Sequence, residues 1–220
     1  PFAVQEIIVR HVINSTQGMA RWTRKGPNVA DEKEMDDYMF EVAGRVGYLV
    51  TQLFAWYSIT IRRKEAEIMP LAREFGLGLQ TVNVIRGLRE DFERGWMYVP
   101  AKFLHDFGLT QEQLFDAQHR ERALHVLDLL TEKAERHLQE ALKYIKSLPW
   151  WQHGIRLGCI FPLMFAIRTL AVCRRNAQVF ESEAKITRNE VKKIVLDSTL
   201  WGWSNAWLDR YYQELNTVKP

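Results

Sequence analysis

Amide, carboxylate and guanidinium side chains gather between Gln80 and Pro100, in the stretch QTVNVIRGLREDFERGWMYVP. If this stretch is helical, Gln80, Asn83, Gly87 and the Glu90–Asp91 pair recur at spacings of three and four residues and share one face. Oxygen ligands of this kind suit a hard divalent cation such as Mg²⁺. Arginines can hold phosphate oxygens through charge-assisted hydrogen bonds, and three lie close by: Arg86, Arg89 and Arg94. The alternative interpretation is an ordinary solvated charged face.

The chain around these residues predicts the elements that position them. Residues 80–100 are predicted to form one helix, which ends at Pro100 because proline cannot continue it. A glycine-punctuated segment, Phe75–Leu79, leads into this helix. The charged segment before it, Ile61–Pro70, breaks the apolar pattern and is predicted to be a connector.

The rest of the chain has the apolar spacing of amphipathic helices, and no segment alternates with the period of two that is typical of a strand. The predicted helices cover residues 2–22, a long segment after Asp31, a short turn at 101–106, residues 117–147, residues 154–180 and a last helix after Thr187. Residues 23–30 are predicted to be a loop. Capping sequences mark three helix starts, at Asp31/Glu34, Thr110/Gln113 and Thr187/Glu190. The fold class is therefore all-α.

Composition sets limits on the class of protein. With 220 residues, of which 47% are hydrophobic, the chain can bury a substantial core. The net charge of +3 is spread along the sequence, so nucleic-acid binding is not indicated, whereas anionic substrates or an anionic membrane surface are weakly favoured. Cys159 and Cys173 lie in apolar segments without metal-ligand spacing and are interpreted as reduced core residues. The chain starts at Pro1 inside an apparent helix, and we expect an upstream part.

Two further interpretations concern the apolar segment at 154–180 and the histidines. No apolar run is expected to be long enough to span a bilayer. Arg156, Pro162 and Arg168 interrupt this segment, so a buried core helix kinked near Pro162 is expected. The histidines show no convincing metal-ligand spacing. We interpret three of them as surface or edge residues: His119, His125 and His137.

Two separated motifs resemble those of the squalene/phytoene synthase family, the head-to-head trans-prenyl transferases. YMFEVAGRVG, from Tyr38 to Gly47, is similar to the family's Tyr-x-x-x-Val-Ala-Gly-x-Val-Gly helix. Residues 80–100 are similar to its second aspartate-rich motif, Gln-x-x-Asn-Ile-x-Arg-Asp-x-x-Glu-Asp-x-x-x-Gly-x-x-Tyr-x-Pro. The later segments LGCIFPLMFAIRTL and AKITRNEVKKI match more loosely. The resemblance covers nearly all of the chain, but not the family's first aspartate-rich motif, which would lie upstream of Pro1.

The resemblance implies a helical bundle of the isoprenoid synthase type with a central cavity, as one domain over residues 1–220. It implies that Tyr38 is catalytic, acting on the cyclopropylcarbinyl intermediate. It also implies that Mg²⁺ is held by Asn83, Glu90 and Asp91. The implied substrate-binding residues are Gln80, Arg86, Ala43, Gly44, Val46 and Gly47, of which the last four would let a prenyl tail run along their helix.

The implied activity is condensation of two farnesyl diphosphates to presqualene diphosphate and squalene. Mg²⁺ would assist the departure of diphosphate, and NADPH is the candidate reductant. A branch using geranylgeranyl diphosphate is the alternative within the family. Tyr38–Phe54 is nearer to the squalene synthase branch, which favours the shorter substrate. A cytoplasmic protein with peripheral membrane association is expected, because the substrate is lipid-like.

Two positions depart from the family's pattern. Gly87 stands where the second motif opens with aspartate, and Trp96 stands where an arginine follows the motif's glycine. The first change removes a metal ligand and the second a phosphate contact. They keep open a different class of function, in which a catalytically altered or inactive member serves as an assembly or binding protein.

Overall fold

A computed structural model describes residues 1–26 and 28–217. In these ranges the chain forms helices joined by short turns, and the only strand-like pairing is an isolated bridge between Asn28 and Met97. The α-helices are α1 (Phe2–Lys25), α2 (Glu32–Met39), α3 (Arg45–Tyr57), α4 (Ile59–Arg62), α5 (Glu65–Arg86), α6 (Leu88–Glu93), α7 (Ala101–Asp106), α8 (Arg120–Ser147), α9 (His153–Cys173), α10 (Arg188–Trp201) and α11 (Asn205–Asn216). The predicted all-α class is confirmed.

Helix α5 lies at the centre of the bundle, packed against α3, α8 and α9. A π-helical turn, Phe40–Gly44, joins α2 to α3 without a break in the helical rod. Leucine, isoleucine and alanine side chains of α5, α8 and α9 fill the core, and the buried thiols Cys159 and Cys173 belong to it, as predicted. Burial raises the pKa of each thiol to about 12, which keeps both protonated.

Several helix boundaries differ from the predictions, and each has a local cause. The predicted connector Ile61–Pro70 is helical apart from the turn at Arg63–Lys64, because α5 accommodates Pro70 at the cost of one backbone hydrogen bond. Residues 80–100 are not one helix: α5 ends at Arg86, and α6 begins after Gly87. The last predicted helix is divided at Gly202, and residues 23–25 belong to α1 instead of a loop.

The helix starts were predicted more accurately than the helix ends. Asp31 accepts a hydrogen bond from the backbone of Glu34, and Thr187 with Glu190 forms a complete capping box. The Thr110–Gln113 pair is also reciprocal, although the turn it begins is a 3-10 helix at Gln113–Phe115. A side chain that caps a start is visible in the sequence, whereas a helix end depends on tertiary packing.

Helix α9 is the apolar segment predicted to be a core helix. It is long and apolar enough to cross a membrane by length and composition, so the expectation that no run reaches that length was wrong. In the bundle 56% of that apolar window is buried, including the whole of Arg156, and core helices of soluble proteins meet the same criterion. The position of α9 supports the interpretation as a core helix.

Candidate functional site

An apolar cavity of about 320 Å³ lies between the start of α3, the centre of α5 and the first half of α9. Gln80 and Asn83 form its polar end, and Asn83 Nδ2 lies 3.5 Å from Gln80 Oε1. The other walls are mostly apolar, which suits a hydrocarbon chain. They are formed by Val42, Ala43, Val46, Gly47, Val50, Ala72, Phe75, Gly76, Leu79, Tyr144, Gly158, Cys159 and Pro162.

Small residues bring the backbones of α3 and α5 together beside this cavity. A Cβ added to Gly47 would overlap the Ala72 carbonyl oxygen, and one added to Gly76 would overlap the backbone at Ala43. Gly44 is buried in this contact and does not line the cavity. Of the predicted substrate-binding residues, Ala43, Val46, Gly47 and Gln80 therefore line the cavity, while Gly44 shapes it through packing.

Gly87 separates the cavity wall from the acidic residues Glu90 and Asp91. Its φ of −97° is open to any residue, and an added Cβ would lie 3.3 Å from the Asn83 carbonyl oxygen and 3.7 Å from Asp91 Oδ2. Glu90 and Asp91 follow on the short helix α6 and do not line the cavity. The predicted shared face of Gln80, Asn83, Glu90 and Asp91 is thus interrupted by the change of helix at Gly87.

The environment of Asp91 disfavours its charged form. Burial raises the pKa of its carboxyl group, Arg94 opposes the shift, and neighbouring Glu90 adds to it. Glu90 itself lies 3.5 Å from Arg94 in an exposed ion pair. Carboxylate oxygens are the ligands that Mg²⁺ takes, and it commonly uses one or two of them together with substrate phosphates. Glu90 and Asp91 fit that role, but among the described residues no three His, Cys, Asp or Glu side chains group as a metal site.

Tyr38 lies in an aromatic stack instead of in the cavity wall. Its ring stacks on Tyr98 at 4.6 Å and meets Trp22 edge to face at 5.3 Å, while Trp96 also stacks with Tyr98 at 5.9 Å. Burial, the Tyr98 hydroxyl and the charge of Asp91 all raise the pKa of Tyr38 above its ordinary value. Its hydroxyl is therefore protonated at neutral pH and close to the acidic helix α6.

Arg86, the predicted diphosphate contact, is engaged by a carboxylate from a distant part of the chain. Its Nε lies 2.7 Å from Glu183 Oε1, and Lys185 Nζ lies 2.5 Å from the other Glu183 oxygen. Spacing along the sequence could not have shown this pairing, because 97 residues separate Arg86 from Glu183. Two cations beside one carboxylate leave a net positive charge next to Gly87.

Comparison with known proteins identifies the family. The family model described as squalene/phytoene synthase matches residues 2–190. The chain belongs to the squalene/phytoene synthase family. It is 28% identical to squalene synthase of Rattus norvegicus over 200 residues, covering 90% of this chain and 46% of that protein. It is 31% identical to squalene synthase of Schizosaccharomyces pombe over 173 residues, covering 79% of this chain and 37% of that protein.

Solved structures agree with this assignment. The structure of TcSQS in complex with the ligand BPH1237 matches with a TM-score of 0.85 and 25% identity, over 96% of this chain and 61% of that one. A dehydrosqualene synthase with a bound ligand matches with a TM-score of 0.70 at 16% identity, which shows the fold alone. The chain spans less than half the length of the curated squalene synthases it matches. Within the family, the predicted bundle with a central cavity is confirmed.

The structure adds residues that sequence reasoning did not assign to the site. Tyr98 and Trp22 complete the stack around Tyr38, and the family motif's Tyr-x-Pro ending could have indicated Tyr98. Phe75 and Tyr144, which line the cavity, meet edge to face at 5.7 Å, and Tyr144 shares a 2.8 Å hydrogen bond with Thr51. These contacts join distant elements and carry no local sequence signal.

His137 was interpreted as a surface or edge residue, and that interpretation was wrong. It is buried between α2, α5 and α8, with Nδ1 2.5 Å from Glu74 and Nε2 3.4 Å from Asp36. The neighbouring Lys133 is only 1% exposed and lies 2.5 Å from Asp36. We call these four residues the buried ion cluster. It fixes α2, which carries Tyr38, against α5 and α8.

Proposed function

We propose that the complete protein is a prenyl transferase that joins two farnesyl diphosphates head to head, giving presqualene diphosphate and then squalene. The observation that carries this proposal is the apolar cavity whose polar end is formed by Gln80 and Asn83. A prenyl chain requires an apolar cavity that excludes water, and its diphosphate requires polar and cationic groups where the chain ends. The cavity volume lies at the small end of the range for ligand pockets, about 300–1,000 Å³, which supports the shorter substrate.

The residues beside the polar end would bind the diphosphate. Arg86 and Lys185 both pair with Glu183 and therefore lie close together. A diphosphate bound there could accept hydrogen bonds from both cations. Glu90 and Asp91 would hold Mg²⁺, which neutralises the leaving diphosphate when bound. A nearby cation would also favour the charged form of Asp91, whose pKa is raised by its burial.

The aromatic stack would act on the carbocation that forms when diphosphate leaves. Aromatic faces attract cations, and the Tyr38–Tyr98 pair presents such faces next to α6. The raised pKa of Tyr38 keeps its hydroxyl as a hydrogen-bond donor. Reduction to squalene needs a hydride donor, for which we propose NADPH. We also propose that the protein is cytoplasmic and makes peripheral contact with membranes.

A catalytically altered member that binds prenyl diphosphates or assembles with other proteins is the second candidate. The observation that favours it is the acidic turn, Gly87–Trp96. Gly87 contributes no side chain, and Trp96 packs against Tyr98 instead of providing a cation. Metal sites usually depend on their full set of ligands.

Incubation of the complete protein with farnesyl diphosphate, Mg²⁺ and NADPH separates these functions. The transferase is expected to release pyrophosphate and form a C30 product. Tight binding of farnesyl diphosphate by calorimetry without pyrophosphate release would contradict the transferase and support the binding protein. Incubation with geranylgeranyl diphosphate in place of farnesyl diphosphate tests the phytoene synthase-type alternative. That alternative predicts a higher yield of C40 product than of C30 product.

A further inference from the structure

Large aromatic side chains are exposed at three turns of the bundle: the end of α3, the α8–α9 turn and the α10–α11 turn. Trp150, Trp151, Trp201 and Trp203 are 61%, 59%, 52% and 48% exposed, and Tyr57 is 73% exposed. Tryptophan and tyrosine have an apolar body and a polar tip, and they are enriched where proteins meet the membrane–water interface. We call the surface of these three turns the tryptophan end.

Hydrogen bonds hold the three turns together. Gln152, next to Trp151, donates to the hydroxyl of Ser58, which follows Tyr57, at 2.9 Å. His153 Nε2 lies 2.9 Å from the carbonyl oxygen of Thr199, close to Trp201. The exposed aromatic residues therefore share one end of the bundle instead of projecting from unrelated loops.

A buried arginine reinforces the same end. Arg156 is fully buried, and its guanidinium donates to the Leu148 carbonyl at 2.8 Å, the Gly202 carbonyl at 3.3 Å and the Asn205 side chain at 2.7 Å. One side chain thus joins the two turns that carry the four tryptophans. Burying a cation is costly unless it is well hydrogen-bonded. These bonds hold the tryptophans on ordered turns.

Basic residues border the aromatic ones. Arg62, Arg63 and Lys64 are consecutive and exposed, at the last residue of α4 and in the turn before α5. Arg62 donates to the Ala55 carbonyl at 3.0 Å and the Trp56 carbonyl at 2.9 Å, which ties this segment to the end of α3. Exposed aromatic residues beside a run of cations are complementary to an anionic lipid surface in both hydrophobicity and charge.

We propose that the tryptophan end is a docking surface for an anionic phospholipid bilayer. The cavity supports this orientation, because α3 and α5 run antiparallel and the polar residues Gln80 and Asn83 lie toward the opposite end of α5. Docking would place the apolar part of the cavity nearer the lipid and the acidic turn nearer water. The inference specifies the surface for the membrane contact in the proposed function, but it requires no catalysis.

Vesicle binding by the complete protein, without substrate, tests this inference. Co-sedimentation is measured with phosphatidylcholine vesicles and with vesicles that also contain phosphatidylglycerol. The double variant Trp150→Ser/Trp151→Ser is expected to bind at least about tenfold more weakly to both, because it loses apolar burial. The double variant Arg63→Glu/Lys64→Glu is expected to lose about tenfold in affinity for vesicles that contain phosphatidylglycerol and little in affinity for neutral vesicles.

The matched control is Val9→Ser/Val12→Ser, which removes apolar side chains of comparable exposure from α1. It is expected to bind like the unaltered protein. Brominated lipids should quench tryptophan fluorescence, and the quenched fraction should fall when the four tryptophans are replaced by phenylalanine. Equal binding by all variants overturns the proposal. A dimer that only the tryptophan variants disrupt would also overturn it. So would protection of these tryptophans from acrylamide quenching before lipid is added.

Discussion

The cavity wall and the acidic turn adjoin each other but follow the family's pattern to different extents. The wall keeps the small and amide residues of both motifs, and Ala43, Gly47, Gln80 and Asn83 all line the cavity. The acidic turn lacks the leading aspartate at Gly87 and the arginine at Trp96. The family's apolar half is therefore retained in this chain, whereas its charged half is altered.

The geometry of the two regions accounts for this difference. Backbone contacts between α3 and α5 form the wall, so a larger residue there would displace a whole helix. The acidic turn comprises α6 and its flanking residues, after the break at Gly87, and apart from the buried Leu88 its side chains are half-buried or exposed. Substitutions at such positions usually change stability little.

The largest effect is expected from Gly47→Ala. The added Cβ would overlap the carbonyl oxygen of Ala72, and a backbone atom cannot move aside as a flexible side chain can. We expect the free energy of unfolding to fall by about 3 kcal/mol, measured by urea unfolding. Gly158→Ala is the control, because it also lines the cavity but has nothing within 4 Å of the new atom. Equal unfolding midpoints for the two variants would contradict the tight contact.

Asp91→Asn tests whether the acidic turn holds a cation. If it does, kcat/KM for farnesyl diphosphate should fall about 100-fold while circular dichroism is unchanged. Glu93→Gln is the control, since Glu93 lies on the same helix and pairs with Arg89 at 2.6 Å. Unchanged turnover in Asp91→Asn would contradict a role for Asp91 in holding a cation.

Tyr38→Phe tests the aromatic stack that Trp96 of the acidic turn joins. The ring is kept, so stacking on Tyr98 should survive, but the protonated hydroxyl is lost. We expect the second half-reaction to slow by at least about tenfold and the first half-reaction to slow less. Single-turnover measurement of presqualene diphosphate and squalene separates the two steps. Equal slowing of both would argue against the role of this hydroxyl.

Gly87→Asp would restore a carboxylate to the acidic turn. The φ of Gly87 accepts aspartate, and the new Cβ would lie 3.7 Å from Asp91 Oδ2. We expect the Mg²⁺ concentration for half-maximal activity to fall about tenfold. Gly87→Asn is the control for size without charge. A rise in the required Mg²⁺ would show that this chain uses its site without that ligand.

The smallest effect is expected from titration of the buried ion cluster. Burial opposes protonation of His137, but hydrogen bonds to Asp36 and Glu74 outweigh it and raise its pKa above 6.5. The stabilisation of the folded state by protonated His137 is therefore complete below pH 6.5 and is lost as the pH rises through the raised pKa. The free energy of unfolding, measured with urea, should fall by about 1 kcal/mol over this pH range, and it should fall less in His137→Gln. An identical pH profile for both proteins would exclude His137 as the cause.

Local signals in the sequence predicted much of the fold. The capping residues at Asp31 and Thr187 predicted helix starts because a side chain two or three residues away satisfies the exposed amides. The period of the apolar residues predicted α8, which ends at Ser147 as expected. The helix ends at Arg86 and Trp201 were missed, because a glycine inside a helical pattern is compatible with either continuation or a break.

The candidate site was predictable only in part. Family motifs led to the residues that line the cavity, but they could not show that Gly44 packs away from it or that Tyr38 belongs to a stack. The pairing of Arg86 with Glu183 and the burial of His137 depend on contacts between distant segments. Such contacts follow from the packing of whole helices, which spacing along one helix does not determine.

The glycine contact between α3 and α5 has a consequence for selectivity. Because main-chain atoms fix the separation of these helices at Gly47 and Gly76, rotamer changes cannot widen the cavity at that point. Its width there is set by backbone atoms, so the cavity would discriminate between ligands by their cross-section. A change in cavity length would then come from the far end, around Val50 and Tyr144, where side chains can be exchanged.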